Sequence, residues 1–217
     1  DWTEVMMKKV GNKMKGLSLH YYTVLGWDDS KGSATQFSDD DYYWTLGKCL
    51  EVDKVVKKHC DIMDKYDPKK RVALLVDEWG TWWDVEPGTN TGHLFQQNTM
   101  RDAMVAALSL NVFHKYVDRV KMANMAQIAN VLQAMVLTKG SQMVKTPTYY
   151  VFKMYKVHQG ATMIPLDLNC ESRALPHRTN MHYEGSVPVV SATASRNTNG
   201  EVNITLENTD LTEKCEL

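Results

Sequence analysis

Residues 71–83 read RVALLVDEWGTWW. An unbroken apolar run, Val72, Ala73, Leu74, Leu75 and Val76, leads into two carboxylates, Asp77 and Glu78. Trp79, Gly80, Thr81, Trp82 and Trp83 follow at once. A short continuous apolar run predicts a strand buried on both faces. Acids at the carboxyl end of such a strand stand where parallel α/β folds place their chemistry. Tryptophans beside an acid supply flat apolar walls that suit sugar rings. The stretch marks Glu78 as a candidate catalytic carboxylate at a strand end. The plainer alternative is an acid that caps the next helix or pairs with a Lys or Arg. Strand alternation predicts that Asp77 and Glu78 face opposite ways, with Asp77 the structural partner.

The flanks repeat the pattern. Upstream, a helical spacing of Val5, Met6, Val10 and Met14 runs from Trp2 to about Lys15, and Gly16 stops it. Residues 17–23 (LSLHYYT) predict a strand that ends in His20, Tyr21 and Tyr22. Ser38, followed by Asp39, Asp40 and Asp41, predicts an N-cap and a helix to about Tyr66, ended by Asp67-Pro68. Downstream, residues 94–116 predict a helix and residues 120–127 a third strand carrying Asn124 and Gln127. Thr146-Pro147 opens a last helix to about Val157. Helix and strand alternate, which predicts βα units and a parallel sheet of three strands. Polar side chains at one end of consecutive parallel strands converge on one pocket. The tryptophans could equally be core, and His20 a hydrogen-bonded core histidine.

After Gly160 the composition shifts to short strand candidates at residues 163–166, 187–194 and 202–206, with a hairpin signal at Asn199-Gly200. The predicted domains are 1–160, an α/β unit, and 161–217, an antiparallel β segment. Three βα units cannot close a barrel, which needs eight strands. The chain therefore reads as a piece of a longer one, with a missing N-terminus.

Composition excludes several classes. The 217 residues carry a formal net charge of -1, and no basic run suggests nucleic acid. No apolar segment approaches the roughly 18–20 residues of a membrane helix. Cys49, Cys60, Cys170 and Cys215 are too widely spaced for a metal box and read as free thiols. No cofactor is called for, and no metal site is seen. The protein reads as soluble, with its compartment, cytoplasmic or secreted, left open.

Five segments together resemble a known family: 17–23 (LSLHYYT), 76–83 (VDEWGTWW), 96–113 (QQNTMRDAMVAALSLNVF), 120–135 (VKMANMAQIANVLQAM) and 146–159 (TPTYYVFKMYKVHQ). As a set they resemble the C-terminal half of the α-L-arabinofuranosidases of glycoside hydrolase family 51. The resemblance implies an α/β fold in which the three strands are strands 6–8 of a (β/α)8 TIM barrel, followed by part of an antiparallel β-sandwich. It implies retaining release of terminal α-L-arabinofuranosyl groups from arabinan, arabinoxylan and arabino-oligosaccharides, with Glu78 as the nucleophile. It places His20, Tyr22 and Gln127 in the sugar site; Trp79, Trp82 and Trp83 are candidate walls from their place beside the acid. It also implies a homo-oligomer. Retention needs a second carboxylate about 5 Å away. The family supplies it from an Asn-Glu pair on the fourth barrel strand, which has no match before His20. Asp28, Asp29, Asp84 and Glu86 are loop acids and poor substitutes. The chain alone is therefore expected to be inactive. The rival readings are a β-glycanase or xylosidase on the same scaffold, or a sugar-binding protein that never had the acid.

Overall fold

The structure, a computed structural model, describes residues 1–27, 30–178 and 185–216. Helix α1 (Trp2–Val10) is capped by Asp1, whose carboxylate accepts the Thr3 N–H. It stops short of Lys15, at Gly11-Asn12, two poor helix formers. Strand β1 (Gly16–Thr23) leads through a loop to α2 (Asp39–Tyr66). Ser38 accepts the Asp41 N–H and the Asp41 carboxylate accepts the Ser38 N–H, a reciprocal cap at the helix start. Leu46, Cys49, Val52, Val56, Cys60 and Met63 form the buried stripe of α2, at the three- and four-residue steps of a helix.

Strand β2 (Ala73–Thr81) is longer than its apolar run and carries both acids inside it, three residues short of its end. Helix α3 (Met100–Lys115) begins later than the apolar spacing predicts. Thr99 and Asp102 form a second reciprocal cap there, and Leu94 instead closes a 3-10 turn at φ 51°. Strand β3 (Val120–Met125) ends before Gln127. A hairpin of β4 (Val136–Lys139) and β5 (Gln142–Lys145) precedes α4 (Pro147–Tyr155), where Pro147 occupies the first turn. That hairpin is absent from the sequence-based expectation, because its apolar residues run on from the preceding stretch.

The first sheet is parallel, in the order β1-β2-β3. The central strand buries Leu74 and Val76 fully on the face that meets the helices, while Ala73 and Leu75 on its other face are only half-buried, which corrects the expectation of a strand buried on both faces. Each such side chain contributes about 1.5–3 kcal/mol. One core joins these residues to α2, α3 and α4 through Val56, Met63, Ala106, Phe113 and Val151.

The remaining strands are β6 (Thr162–Ile164), β7 (Ser172–Ala174), β8 (Ser186–Pro188), β9 (Val190–Arg196) and β10 (Val202–Asn208). A second sheet, antiparallel in the order β10-β9-β6, has Ile164, Ala194 and Ile204 in one register row. Val202, Ile204 and Leu206 on β10 are exposed. The opposite face is polar and packs on the helices. His158, just after α4, bonds Ser195 and Thr205 at 2.7 Å each, His114 bonds Thr193 at 3.0 Å, and Asn111 donates to Ser191 at 2.8 Å. Burial pushes the His114 pKa down to about 4, with the neighbouring His158 adding to the shift.

Glu207 lies in this junction, 6% exposed, and neither carboxylate oxygen has a hydrogen-bond partner. Burial holds its pKa well above the ordinary range. Its folded pKa is raised, so folding favours the protonated form. The associated stability is full below the unfolded pKa of about 4.3 and is lost as pH rises. Glu207→Gln removes that titration. Its thermal midpoint is expected to gain on the parent progressively from pH 5 to pH 8, and a pH-independent difference would overturn the assignment.

Candidate active site

The site forms where β1 and β2 fall out of step. Ser18 pairs with Leu75, but His20 pairs with Glu78, so β2 spends three residues where β1 spends two. Such a bulge re-aims side chains. It corrects the expectation that Asp77 and Glu78 point opposite ways, since both carboxylates reach His20. The His20 Nε2 lies 3.5 Å from Asp77 Oδ1 and its Nδ1 3.4 Å from Glu78 Oε2. All three side chains are partly open to solvent, so the pairing is screened and serves alignment more than stability.

Ser18, His20 and Tyr22 are alternate residues of β1 and meet the two acids. The Ser18 hydroxyl donates to Asp77 Oδ1 at 2.7 Å, and the Tyr22 hydroxyl donates to Glu78 Oε1 at 2.7 Å. Burial, then the hydrogen bond and negative charge of Glu78, raise the Tyr22 pKa well above that of an ordinary phenol. Tyr22 therefore remains a donor. One oxygen of Glu78 is held by Tyr22 and the other faces His20. Its side chain is 40% exposed, open to a substrate. That is what an oriented carboxylate nucleophile needs.

The end of β2 is tightly braced. Gly80 has φ 146°, and a Cβ there would meet the Gln133 Oε1 at 3.0 Å and the Met125 Sδ at 3.1 Å. Gln133 accepts the Thr81 N–H at 2.6 Å. Asp102 accepts the Thr81 hydroxyl at 2.5 Å and the Trp83 indole N–H at 2.8 Å. Ser18, Gln133 and Asp102 were not singled out by sequence reasoning. Ser18 was legible from the period of two in residues 17–23, whereas Gln133 and Asp102 are recognisable only by their contacts.

The tryptophans divide. Trp79 is 1% exposed and packs edge-on to Phe113 at 5.2 Å, and Trp83 is fully buried with Trp44, Leu25 and Ala34. Neither can wall a sugar, which corrects that expectation: β2 carries Trp79 into the core, and the segment after it packs Trp83 under the loop before α2. Trp82 stays partly exposed, edge-on to Tyr22 at 5.1 Å and to Trp27 at 5.9 Å. Trp27 was not singled out. Gln127 is exposed two residues beyond β3, where the neighbouring Ala126 N–H donates to the Trp79 carbonyl at 3.0 Å. Asp84 accepts from Ser30 and from the Lys31 N–H, and Glu86 from the Gln97 N–H. Both loop acids thus have structural roles. Asp28 and Asp29 lie outside the described residues. No helix among the described residues is long and apolar enough to cross a membrane, and no group of three or more His, Cys, Asp or Glu among them could hold a metal ion.

The sequence profile of a family described as the alpha-L-arabinofuranosidase C-terminal domain matches residues 77–216, starting at the acid pair. The chain belongs to this family. An intracellular exo-alpha-L-arabinofuranosidase of Bacteroides ovatus is 66% identical over 216 residues, covering 100% of this chain and 41% of its own length. The crystal structure of the family 51 arabinofuranosidase from Xanthomonas axonopodis pv. citri superposes with a TM-score of 0.90 at 48% identity, over 98% of this chain and 42% of that one. Bifidobacterium longum AbfB, a family 51 alpha-L-arabinofuranosidase, shares the fold with a TM-score of 0.75 at 21% identity. The family 51 resemblance read from the five segments stands. Both the Bacteroides and Xanthomonas alignments extend over nearly the whole chain, well beyond the matched profile. The chain spans about two fifths of the length of the Bacteroides relative.

Proposed function

We propose that this chain supplies the nucleophile half of a retaining α-L-arabinofuranosidase that removes terminal arabinofuranosyl groups from arabinan, arabinoxylan and arabino-oligosaccharides. The observation that carries the reading is the Glu78 carboxylate, held by Tyr22 at 2.7 Å and facing His20 at 3.4 Å in a partly open site. In this reading β1, β2 and β3 are strands 6–8 of a (β/α)8 barrel that ends near residue 160. The sheet of β6, β9 and β10 begins a β-sandwich, whose second layer would cover Val202, Ile204 and Leu206.

Glu78 attacks the anomeric carbon, the bond to the leaving oxygen breaks, and a glycosyl-enzyme forms. Water then releases arabinose with its configuration kept. His20, Tyr22 and Gln127 position the sugar and the nucleophile, and Trp82 walls the substrate. Asp77, bonded to Ser18 and beside His20, is the aligning partner and not the proton donor. The acid therefore comes from residues outside this chain. Leaving-group protonation is typically worth about 10²–10⁴-fold, so these residues alone are expected to turn over negligibly. The assembled enzyme would act as a homo-oligomer.

The test is a panel of aryl glycosides offered to the complete enzyme. Hydrolysis of the α-L-arabinofuranoside with retained configuration by proton NMR is expected. A preference for β-xylosides or β-glucosides, or an inverted first product, would overturn the reading.

A further inference from the structure

Asp77 makes and breaks no bond in the proposed chemistry, yet an extra residue in β2 brings it to His20. Consecutive residues of a regular strand face opposite sides, and like charges held close repel. The mismatch between the Ser18–Leu75 and His20–Glu78 pairs overrides that separation. It sets Asp77 Oδ1 3.5 Å from the His20 Nε2, and Glu78 Oε2 3.4 Å from the Nδ1 of the same ring. Bulges that re-aim side chains recur beside active sites. The Ser18 hydroxyl donates to the same Asp77 oxygen at 2.7 Å, which tethers that carboxylate to β1. Tyr22 holds the other oxygen of Glu78.

An imidazole set between two carboxylates meets both as a donor only when both of its nitrogens carry hydrogen. The ring then bears a charge that the carboxylates balance. The two acids differ in one respect. Glu78 loses its charge when it becomes an ester in the glycosyl-enzyme, whereas Asp77 keeps its own throughout.

We propose that Asp77, tethered by Ser18, is a positioning residue for the second chemical step, keeping His20 a donor toward Glu78 while Glu78 is esterified. In that step water attacks the anomeric carbon, the bond from that carbon to Glu78 breaks, and its electron pair returns to the carboxylate. The proton of the attacking water goes to the acid/base outside this chain. His20 transfers no proton; its N–H meets the charge as it reappears on Glu78. The first step has the opposite sign. There Glu78 starts fully charged, and a donor on it stabilises the start more than the transition state. Loss of Asp77 is therefore expected to slow the release of arabinose without slowing formation of the glycosyl-enzyme. This role rests on Glu78 being the nucleophile of a retaining arabinofuranosidase.

Rapid-quench kinetics of the complete enzyme on an aryl α-L-arabinofuranoside separate the two steps. The burst of aryl alcohol reads glycosylation, and intact-protein mass spectrometry reads the decay of the arabinosyl adduct. For Asp77→Asn, which keeps the size of the side chain, the adduct is expected to decay about tenfold more slowly, the scale of one hydrogen bond to a charged group. Glycosylation is expected to stay within about threefold of the parent, so kcat and KM fall together while kcat/KM holds. Ser18→Ala leaves the carboxylate and removes only its tether, and a smaller slowing of the same step is expected. That variant carries the test alone should Asp77→Asn fail to fold. Equal slowing of both steps, the mark of a merely structural loss, would overturn the role of Asp77 and leave the arabinofuranosidase reading intact. Unchanged adduct decay in the folded variants would do the same. A parent enzyme that forms no arabinosyl adduct would sink that reading itself, and the role of Asp77 with it.

Discussion

In the complete enzyme, Glu78→Ala is expected to lower kcat on an aryl α-L-arabinofuranoside by at least about 10⁴-fold. A covalent route divides one difficult displacement into two easier ones, and without the carboxylate no glycosyl-enzyme can form. The substitution is mild for the fold, because Glu78 is partly exposed and its partners Tyr22 and His20 can turn to water. Near-unchanged thermal stability should therefore accompany the loss. Small anions give a sharper check. Azide fits the space that the side chain vacates and can attack the anomeric carbon in its place, yielding an arabinosyl azide of inverted configuration. Retention of more than about a hundredth of the parent kcat would remove Glu78 from the nucleophile's role, since no positioning residue is worth as much as the attacking group.

Asp102→Ala is expected to carry the largest stability cost, about 3–5 kcal/mol. Asp102 is fully buried and accepts from the Thr81 hydroxyl, the Trp83 indole, and the N–H and hydroxyl of Thr99. Truncation leaves buried donors unpaired and removes the cap of α3 in one step. Asp102→Asn tests whether acceptors alone are needed. It can keep accepting at one oxygen, but its amide must face donors on the other side, so an intermediate loss is expected. Denaturant unfolding of the variants measures both. A cost below about 1 kcal/mol for Asp102→Ala would show that water replaces the carboxylate, and that the end of β2 does not depend on it. Because Thr81 lies three residues beyond Glu78, residual activity should fall with the same substitution in samples that remain folded.

The local chemistry of this chain was legible in its sequence. The apolar run before Asp77 marked the central strand, because Leu74 and Val76 face a helix-covered core that admits no polar residue. Ser38 with its acids and Pro147 gave two helix starts, since unpaired N–H groups at a helix end select acceptors and a ring without an N–H. Asn199-Gly200 marked the hairpin between β9 and β10. The start of α3 was misplaced because Leu94 matches the helical period, while the reciprocal cap of Thr99 and Asp102 decides where the helix begins. The resemblance, carried by side-chain identities in five separated segments, supplied the role assigned to Glu78.

What only the tertiary structure decided concerns direction and depth. Alternation along one strand placed Asp77 and Glu78 on opposite sides, but the mismatch against β1 brings both to His20. Register belongs to a pair of strands, so neither strand's sequence states it alone. Trp79, Trp82 and Trp83 look equivalent in the sequence, yet two are core and one lies beside Tyr22. Burial depends on what packs over a residue, and here that cover comes from α3, α4 and the loop before α2. Trp27 meets Trp82 for the same reason: a residue distant in sequence becomes its neighbour only once the loops close.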